Sequence, residues 1–352
     1  AVPAFDSILL VSFGGPEGMD DVIPFLENVL RGKNVPPQRM LEVAEHYRQF
    51  DGVSPINQQN RALIAALQAE LQRRGIEQPI YWGNRNWQPL LTDALRQMRD
   101  AGCRRAIAFF TSMFSCYSGC RQYREDILKA QQEVGAGAPQ VEKVRKGFNH
   151  PKFIAAQADC VEEGLLSLPA ERRAEAKLLF SAHSIPMSMA DNSNYAAQLS
   201  EACRLVAEAV GHENWELVYQ SRSGPPQQPW LEPDICDRIE QLSQQGVGDV
   251  VVAPVGFISD HIEVLFDLDT EAKQLCERLG IGFVRVPSVG IHPQFVSMIA
   301  DLLQERIQPL ETRTSVGRLG PSHDVCPIDC CLYPREPGGG RPALTDSART
   351  SP

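Results

Sequence analysis

No stretch of this 352-residue chain approaches the roughly 18–20 consecutive apolar residues that a membrane-spanning helix requires. Positive charge is also in deficit. Lys and Arg total 34 against 44 Asp and Glu, for a net charge of −10. An acidic surface repels nucleic acid and anionic lipid, so neither nucleic acid nor a stable membrane contact is expected. The opening residues, AVPAFDSILLVSFGG, place no basic segment ahead of their apolar run, which has the length of a strand. That argues against a signal peptide and for a cytoplasmic protein. Histidine is scarce, with seven in the chain. Cysteine is not: there are ten, seven of them scattered as reduced thiols would be in the cytosol. The other three, Cys326, Cys330 and Cys331, fall within the six residues CPIDCC, a density that suggests metal or cluster ligation.

Hydrophobic residues make up 43% of the chain, enough for a sizeable core, and the length suits two domains or one large α/β unit. Short apolar runs recur at 7–13, 79–84, 105–113, 177–183, 216–221, 249–257 and 282–288. Several are apolar on both faces, as strands covered on both sides by helices should be. Amphipathic stretches lie between them. Residues 56–75 place Leu63, Ile64, Leu67 and Leu71 on one helical face and end at Gly75. The alternation predicts parallel sheets with right-handed crossovers. It reads as two similar halves of about four strands each, residues 1–172 and 173–312. A cysteine segment, 313–334, follows. The Gly- and Pro-rich stretch 335–352 has too few apolar residues to build a core and is expected to be disordered.

One strand ends on chemistry. LLFSAHSIP, 178–186, runs from a buried strand into His183 and is stopped by Pro186. Strand ends in α/β sheets are where ligands bind. Asp260, Glu263, Asp267 and Glu271 follow another strand at spacings of three, four and four, which aligns them on one face of a helix. Such stripes are usually solvated faces. Here bulky apolar neighbours, Ile262, Val264, Leu265, Phe266 and Leu268, argue for partial burial, which is costly for a row of acids. If both strands share a sheet, His183 and Glu263 meet at its carboxyl edge. That pair could hold a divalent metal weakly or take protons from a substrate nitrogen, and spacing alone leaves both open. In FTSMFSCYSGCRQYRED, 110–126, aromatics alternate with small hydroxyl residues before Arg121, Tyr123 and Arg124, a mix suited to a flat apolar ligand with peripheral carboxylates. Ser54 in GVSPIN and Arg31 and Lys33 in LRGK add polar groups in the first half. Cys116 and Cys120 are four apart, a spacing more often coincidental than a metal pair.

Taken together, SFGGPE, LENVLRGK, GVSPIN, SAHSIP, YQSRSGPP, WLEPDI and DHIEVLFDLDTEA resemble the ferrochelatase family over about residues 5–310. The resemblance implies two Rossmann-like domains, each a parallel sheet flanked by helices, around a porphyrin cleft. It also implies insertion of ferrous iron into a distorted, desolvated macrocycle, with loss of two pyrrole protons. His183 matches the family's metal- and proton-handling histidine and Glu263 its partner carboxylate. Asp267 and Glu271 match an acidic relay, and Ser54 and Tyr123 match propionate contacts, with Arg31 and Tyr47 nearby. Phe13 stands where some bacterial members have tyrosine, and it cannot ligate iron. A branch of the family carries a [2Fe-2S] cluster on one internal and three C-terminal cysteines. Cys160, Cys326, Cys330 and Cys331 match that set, with Cys330 and Cys331 expected to point apart and one of them expected to be spare. A zinc site or unbound thiols are the alternatives. The expected substrate is coproporphyrin III, with protoporphyrin IX, a chelatase for another tetrapyrrole, or a porphyrin or haem carrier as rivals. A monomer is expected.

Overall fold

The computed structural model describes residues 4–334. The stretch expected to be disordered, 335–352, lies outside the described residues. Two four-stranded parallel sheets form the frame. The first contains β1 (Ser7–Ser12), β2 (Ile80–Asn84), β3 (Arg105–Phe110) and β4 (Gln140–Lys143), in the order β2-β1-β3-β4. The second contains β5 (Lys177–His183), β6 (Trp215–Gln220), β7 (Asp249–Ala253) and β8 (Gly282–Arg285), in the order β6-β5-β7-β8. The two orders are the same once renumbered, so the halves share one topology. All seven strands read from the sequence are present. The eighth, β4, was not legible because QVEK carries only one apolar residue.

Strand direction explains where chemistry can sit. β1 and β5 are central in their sheets and every residue of β1 is buried, so polar side chains emerge only where the strands end. Gly256 follows β7 and closes against β5. A Cβ there would fall 2.6 Å from the Cβ of Ala182, so only glycine permits this approach one residue before His183.

A linear boundary at residue 172 does not describe the packing. The helix Pro151–Leu166, read with the first half, lies on the second sheet. Its Gly164 sits so close to β7 and β8 that an added Cβ would be 2.7 Å from Val286. In exchange, the helix Pro293–Ile307 returns to the first half. Asp301 pairs with Arg74 at 2.6 Å, Glu305 with Arg145 at 2.8 Å, and Arg306 with Glu142. The halves therefore share one large apolar core that runs from Ile8 through Phe153 and Phe180 to Leu302. Such an exchange is invisible to periodicity, which shows that a helix has an apolar face but not which sheet covers it.

Arg145 and Glu305 are both nearly solvent-free. Replacing Glu305 with alanine leaves a buried guanidinium unpaired and is expected to destabilise the fold by about 3–5 kcal/mol, read from denaturant unfolding. A loss below ~1 kcal/mol would show that the returning helix is held by its apolar face alone.

Candidate functional site

β5 and β6 run side by side with His183 opposite Gln220, so both side chains reach the same edge of the sheet. The His183 ring is fixed from one side, where Nδ1 donates to the Ser184 carbonyl. Nε2 is thereby turned towards Glu263, whose Oε1 lies 3.6 Å away. The His183 carbonyl accepts the Tyr195 hydroxyl at 2.8 Å, which anchors the strand end. The two side chains keep 36% and 42% of their surface exposed, yet protein surrounds them on their other sides, as on the floor of a recess.

Glu263 begins a helix with an unusual turn. Residues Ile262–Val264 form one α-helical turn, and Leu265–Ala272 continue as a π-helix before α-helix resumes at Lys273. His261 caps the start, its Nδ1 accepting from the Glu263 N–H at 3.2 Å. Burial holds this second imidazole below its usual range, so it stays neutral and can accept. π-Turns are rare and frequently mark functional sites. This one takes more residues per turn than an α-helix; it begins two residues after Glu263 and carries Asp267 and Glu271, which continue the spacing by fours. Ile262, Val264, Phe266 and Leu268 bury the opposite face, as the sequence implied.

Asp260 is not part of the row. It precedes the helix and pairs with Arg285 at 2.7 Å, while its backbone exchanges hydrogen bonds with the Gln59 side chain of the first half. Arg285 also pairs with Asp269 at 2.9 Å and so fixes the π-helix against the end of β8. Asp267 is clamped from β6, accepting from the Ser221 hydroxyl and from Gln220 Nε2 at 3.3 Å. Neither partner was picked out from the sequence. The one signal for Ser221 is structural: a non-glycine residue at φ +61°.

The electrostatics follow from this enclosure. Burial alone would push the His183 imidazole down, but the Glu263 carboxylate overcomes it and raises it to about 9. Burial alone would raise Glu263, and the imidazolium instead takes it to about 2. Both directions describe one ion pair. Asp267, buried beside two other acids, is pushed up to about 7 against the Ser221 hydrogen bond. Burial and Asp234 also raise Glu271. The row therefore runs from a charged pair at the floor to acids that hold protons more readily than free carboxyls.

The first half supplies the facing wall. Tyr47 is near enough to Glu263 to be influenced by its charge, and Lys33 lies on the same side. The His46 ring stacks on Phe266 at 3.9 Å, joining the helix Pro37–Arg48 to the π-helix. From Tyr47 an aromatic chain leads away through Phe25 and Phe13. Arg85 then bridges the Phe13 and Tyr123 rings at 5.7 and 4.9 Å. Ser54 and Tyr123 lie deep in this wall, each 5% exposed, whereas Arg31 is exposed and donates to Asn28 at 3.0 Å.

The cysteine segment 313–334 forms a strap without helix or strand. Arg121 donates to the carbonyls of Ile328 at 2.7 Å and Cys330 at 3.1 Å, and Asn149 donates to that of Gly320 at 2.7 Å. Arg318 N–H reaches Glu201 of the second half at 2.9 Å. The thiols converge. Cys330 Sγ lies 3.6 Å from Cys331 Sγ and 3.8 Å from His323 Nε2, and Cys326 joins Cys330 and His323 within 4.8 Å. The two neighbours do not point apart, because Cys331 adopts φ +53° and turns back.

The internal thiol beside them is Cys120, in hydrogen-bond contact with Cys326 from the π-helical turn Tyr117–Arg121. It is not Cys160. Cys160 is buried in the shared core among Asp159, Glu163 and Asp260. The sequence showed the Cys116–Cys120 spacing but not which of the helix's faces meets the strap. Four thiols in one pocket are the donors an iron–sulfur cluster requires, with His323 at the edge.

A family profile for ferrochelatase matches residues 6–307. The chain is 63% identical over 345 residues to a ferrochelatase of Rhodopirellula baltica, covering 97% of this chain and 98% of that one. It is 49% identical to a coproporphyrin III ferrochelatase of Streptomyces griseus, covering 93% of each. Among solved structures, SirB from Bacillus subtilis with Fe3+ aligns over 88% of this chain and 98% of that one. Its TM-score is 0.56 at 11% identity, which shows a shared fold alone. By the span of the profile and the identity of these relatives, the chain belongs to the ferrochelatase family.

Proposed function

We propose that the protein inserts ferrous iron into coproporphyrin III, with His183 and Glu263 at the reacting centre. The observation that carries this reading is the 3.6 Å pair at the end of β5, opening onto the acids of the π-helix. Insertion removes two pyrrole protons and delivers one dication. An imidazole that is held charged must first release its proton, and Asp267 and Glu271 provide the outward path. His183 then accepts one pyrrole proton through Nε2 and passes it to the acid row, and the second pyrrole proton follows the same route, so two protons leave as one ferrous dication enters the macrocycle. Tyr47 and Arg31 lie on the porphyrin side, and Ser54 and Tyr123 brace the wall near its propionates. Phe13 offers no ligand, so iron is not captured there. Relatives named coproporphyrin III ferrochelatase support the four-carboxylate substrate, as do the exposed Arg31 and Lys33 at the mouth. No described helix is long and apolar enough to cross a membrane.

We further propose that Cys120, Cys326, Cys330 and Cys331 hold a [2Fe-2S] cluster, which supplies a redox-active anion and staples the strap to the first half.

A carrier would bind porphyrin without changing it. Anaerobic incubation of the purified protein with zinc and coproporphyrin III separates the two readings. Catalytic formation of the zinc porphyrin is expected, whereas binding with no insertion above the uncatalysed rate would make the protein a carrier.

The ion pair also has a pH signature. His183 is raised, so its contribution to stability is complete below the ordinary imidazole range and lost as pH climbs through about 9. Glu263 is lowered, so its contribution is complete above the ordinary carboxylate range and lost as pH falls towards about 2. In Glu263→Gln the burial remains and the carboxylate goes, so the His183 titration should fall from near 9. Imidazole NMR shifts followed against pH measure this, and an unmoved titration would mean that the pair is not coupled.

A further inference from the structure

Lys146 is 5% exposed, and among the described residues no carboxylate pairs with it. Its ammonium donates to the carbonyls of Ser112 at 2.6 Å and Gly119 at 2.9 Å and lies 5.5 Å from the Phe110 ring. These contacts take up two of its three N–H groups but do not neutralise its charge. The groups that face it are Cys116, Cys120 and Cys331, together with another cation, Lys143. Lys143 is 8% exposed, and its ammonium reaches the Asp324 carbonyl at 3.5 Å. Arg121 is a third buried cation on the same pocket and is answered by Glu125 at 3.3 Å. Among the described residues, Lys143, Lys146 and Arg121 all line this pocket, and Glu125 pairs with Arg121 alone.

An isolated buried ammonium is costly unless an anion compensates it. Neutral thiols supply no negative charge. A diiron cluster bound by four thiolates does, since it is a net dianion when oxidised and a trianion when reduced.

We propose that Lys146 is the charge partner of the cluster, holding a positive charge beside its thiolates and raising its reduction potential, with Lys143 as a weaker second. The inference rests on the cluster reading given above. Adding one electron to the dianion makes a trianion, which a fixed cation in a low-dielectric pocket favours over the oxidised form.

The test compares the wild-type protein, Lys146→Met and Lys146→Arg, all purified anaerobically. Iron and acid-labile sulfide are assayed, and each protein is then titrated with dithionite, which supplies the electron, while visible absorption and electron paramagnetic resonance are followed. Lys146→Met should keep the cluster spectrum but have a midpoint potential more negative than wild type. Lys146→Arg should stay at the wild-type value. An equal potential in Lys146→Met overturns the proposal. If Lys146→Met does not fold, as judged by circular dichroism, Lys143→Met carries the comparison, with a smaller negative shift expected and an unchanged potential overturning it. A colourless wild-type protein defeats the cluster reading itself, and the proposal with it, before any variant is made.

Discussion

His183→Ala loses metal insertion by at least about 10²–10⁴-fold, while the protein still folds and binds porphyrin, its melting temperature lowered only by loss of the ion pair with Glu263. The loss follows from position. His183 Nε2 is the ring nitrogen left free once Nδ1 is committed to the Ser184 carbonyl, and it is the one that meets Glu263. Nothing else on β5 can take its place, because Ser181 and Ala182 are fully buried within the strand. The fold survives because the side chain is 36% exposed and is not part of the shared apolar core. Glu263→Gln should behave similarly. Asp267→Asn and Glu271→Gln should give smaller, graded losses, since each only carries charge away from the floor. Ferrous or zinc insertion assayed beside porphyrin fluorescence quenching separates chemistry from binding. A His183→Ala enzyme with a substantial fraction of wild-type kcat would reduce His183 to a residue that merely ends a strand.

Cys120→Ser bleaches the protein and loosens the strap, and Cys160→Ser does neither. The contrast comes from the neighbours of each thiol. Cys120 meets Cys326 and shares its pocket with Lys146, whereas Cys160 is embedded in the core helix Pro151–Leu166 among three carboxylates. Four thiolates close the cluster, so removing one of them releases iron. The strap has no helix or strand and is held by scattered hydrogen bonds such as those from Arg121 and Asn149, so cluster loss should show as faster amide exchange over residues 313–334. Visible spectra, iron content and hydrogen exchange read the two variants side by side. Bleaching in Cys160→Ser with full colour in Cys120→Ser would restore the assignment that the sequence suggested.

Much of the frame was legible because apolar runs bounded by Gly and Pro are strong local signals. The placement of His183 was legible because an apolar run that stops at Pro186 marks the end of a buried strand. The acid row was legible in part. Periodicity grouped Asp260 with Glu263, but the helix starts two residues later, and Asp260 turns to Arg285 on a strand that no local pattern connects to it. Likewise, the return of the helix Pro293–Ile307 to the first half depends on Arg74, Glu142 and Arg145, which lie about 150 or more residues upstream and carry no sequence mark of their partners. Cys160 and Cys120 show the same limit: which internal thiol meets the C-terminal ones is decided by how the strap crosses the surface, and the spacing of CPIDCC does not record that path.

The most direct test of the account is the initial rate of ferrous iron insertion into coproporphyrin III and into protoporphyrin IX, measured anaerobically in the same preparation. The account predicts a much higher kcat/KM for coproporphyrin III, lost for both substrates in His183→Ala. A preference for protoporphyrin IX, or equal rates on the two, would contradict the proposed substrate.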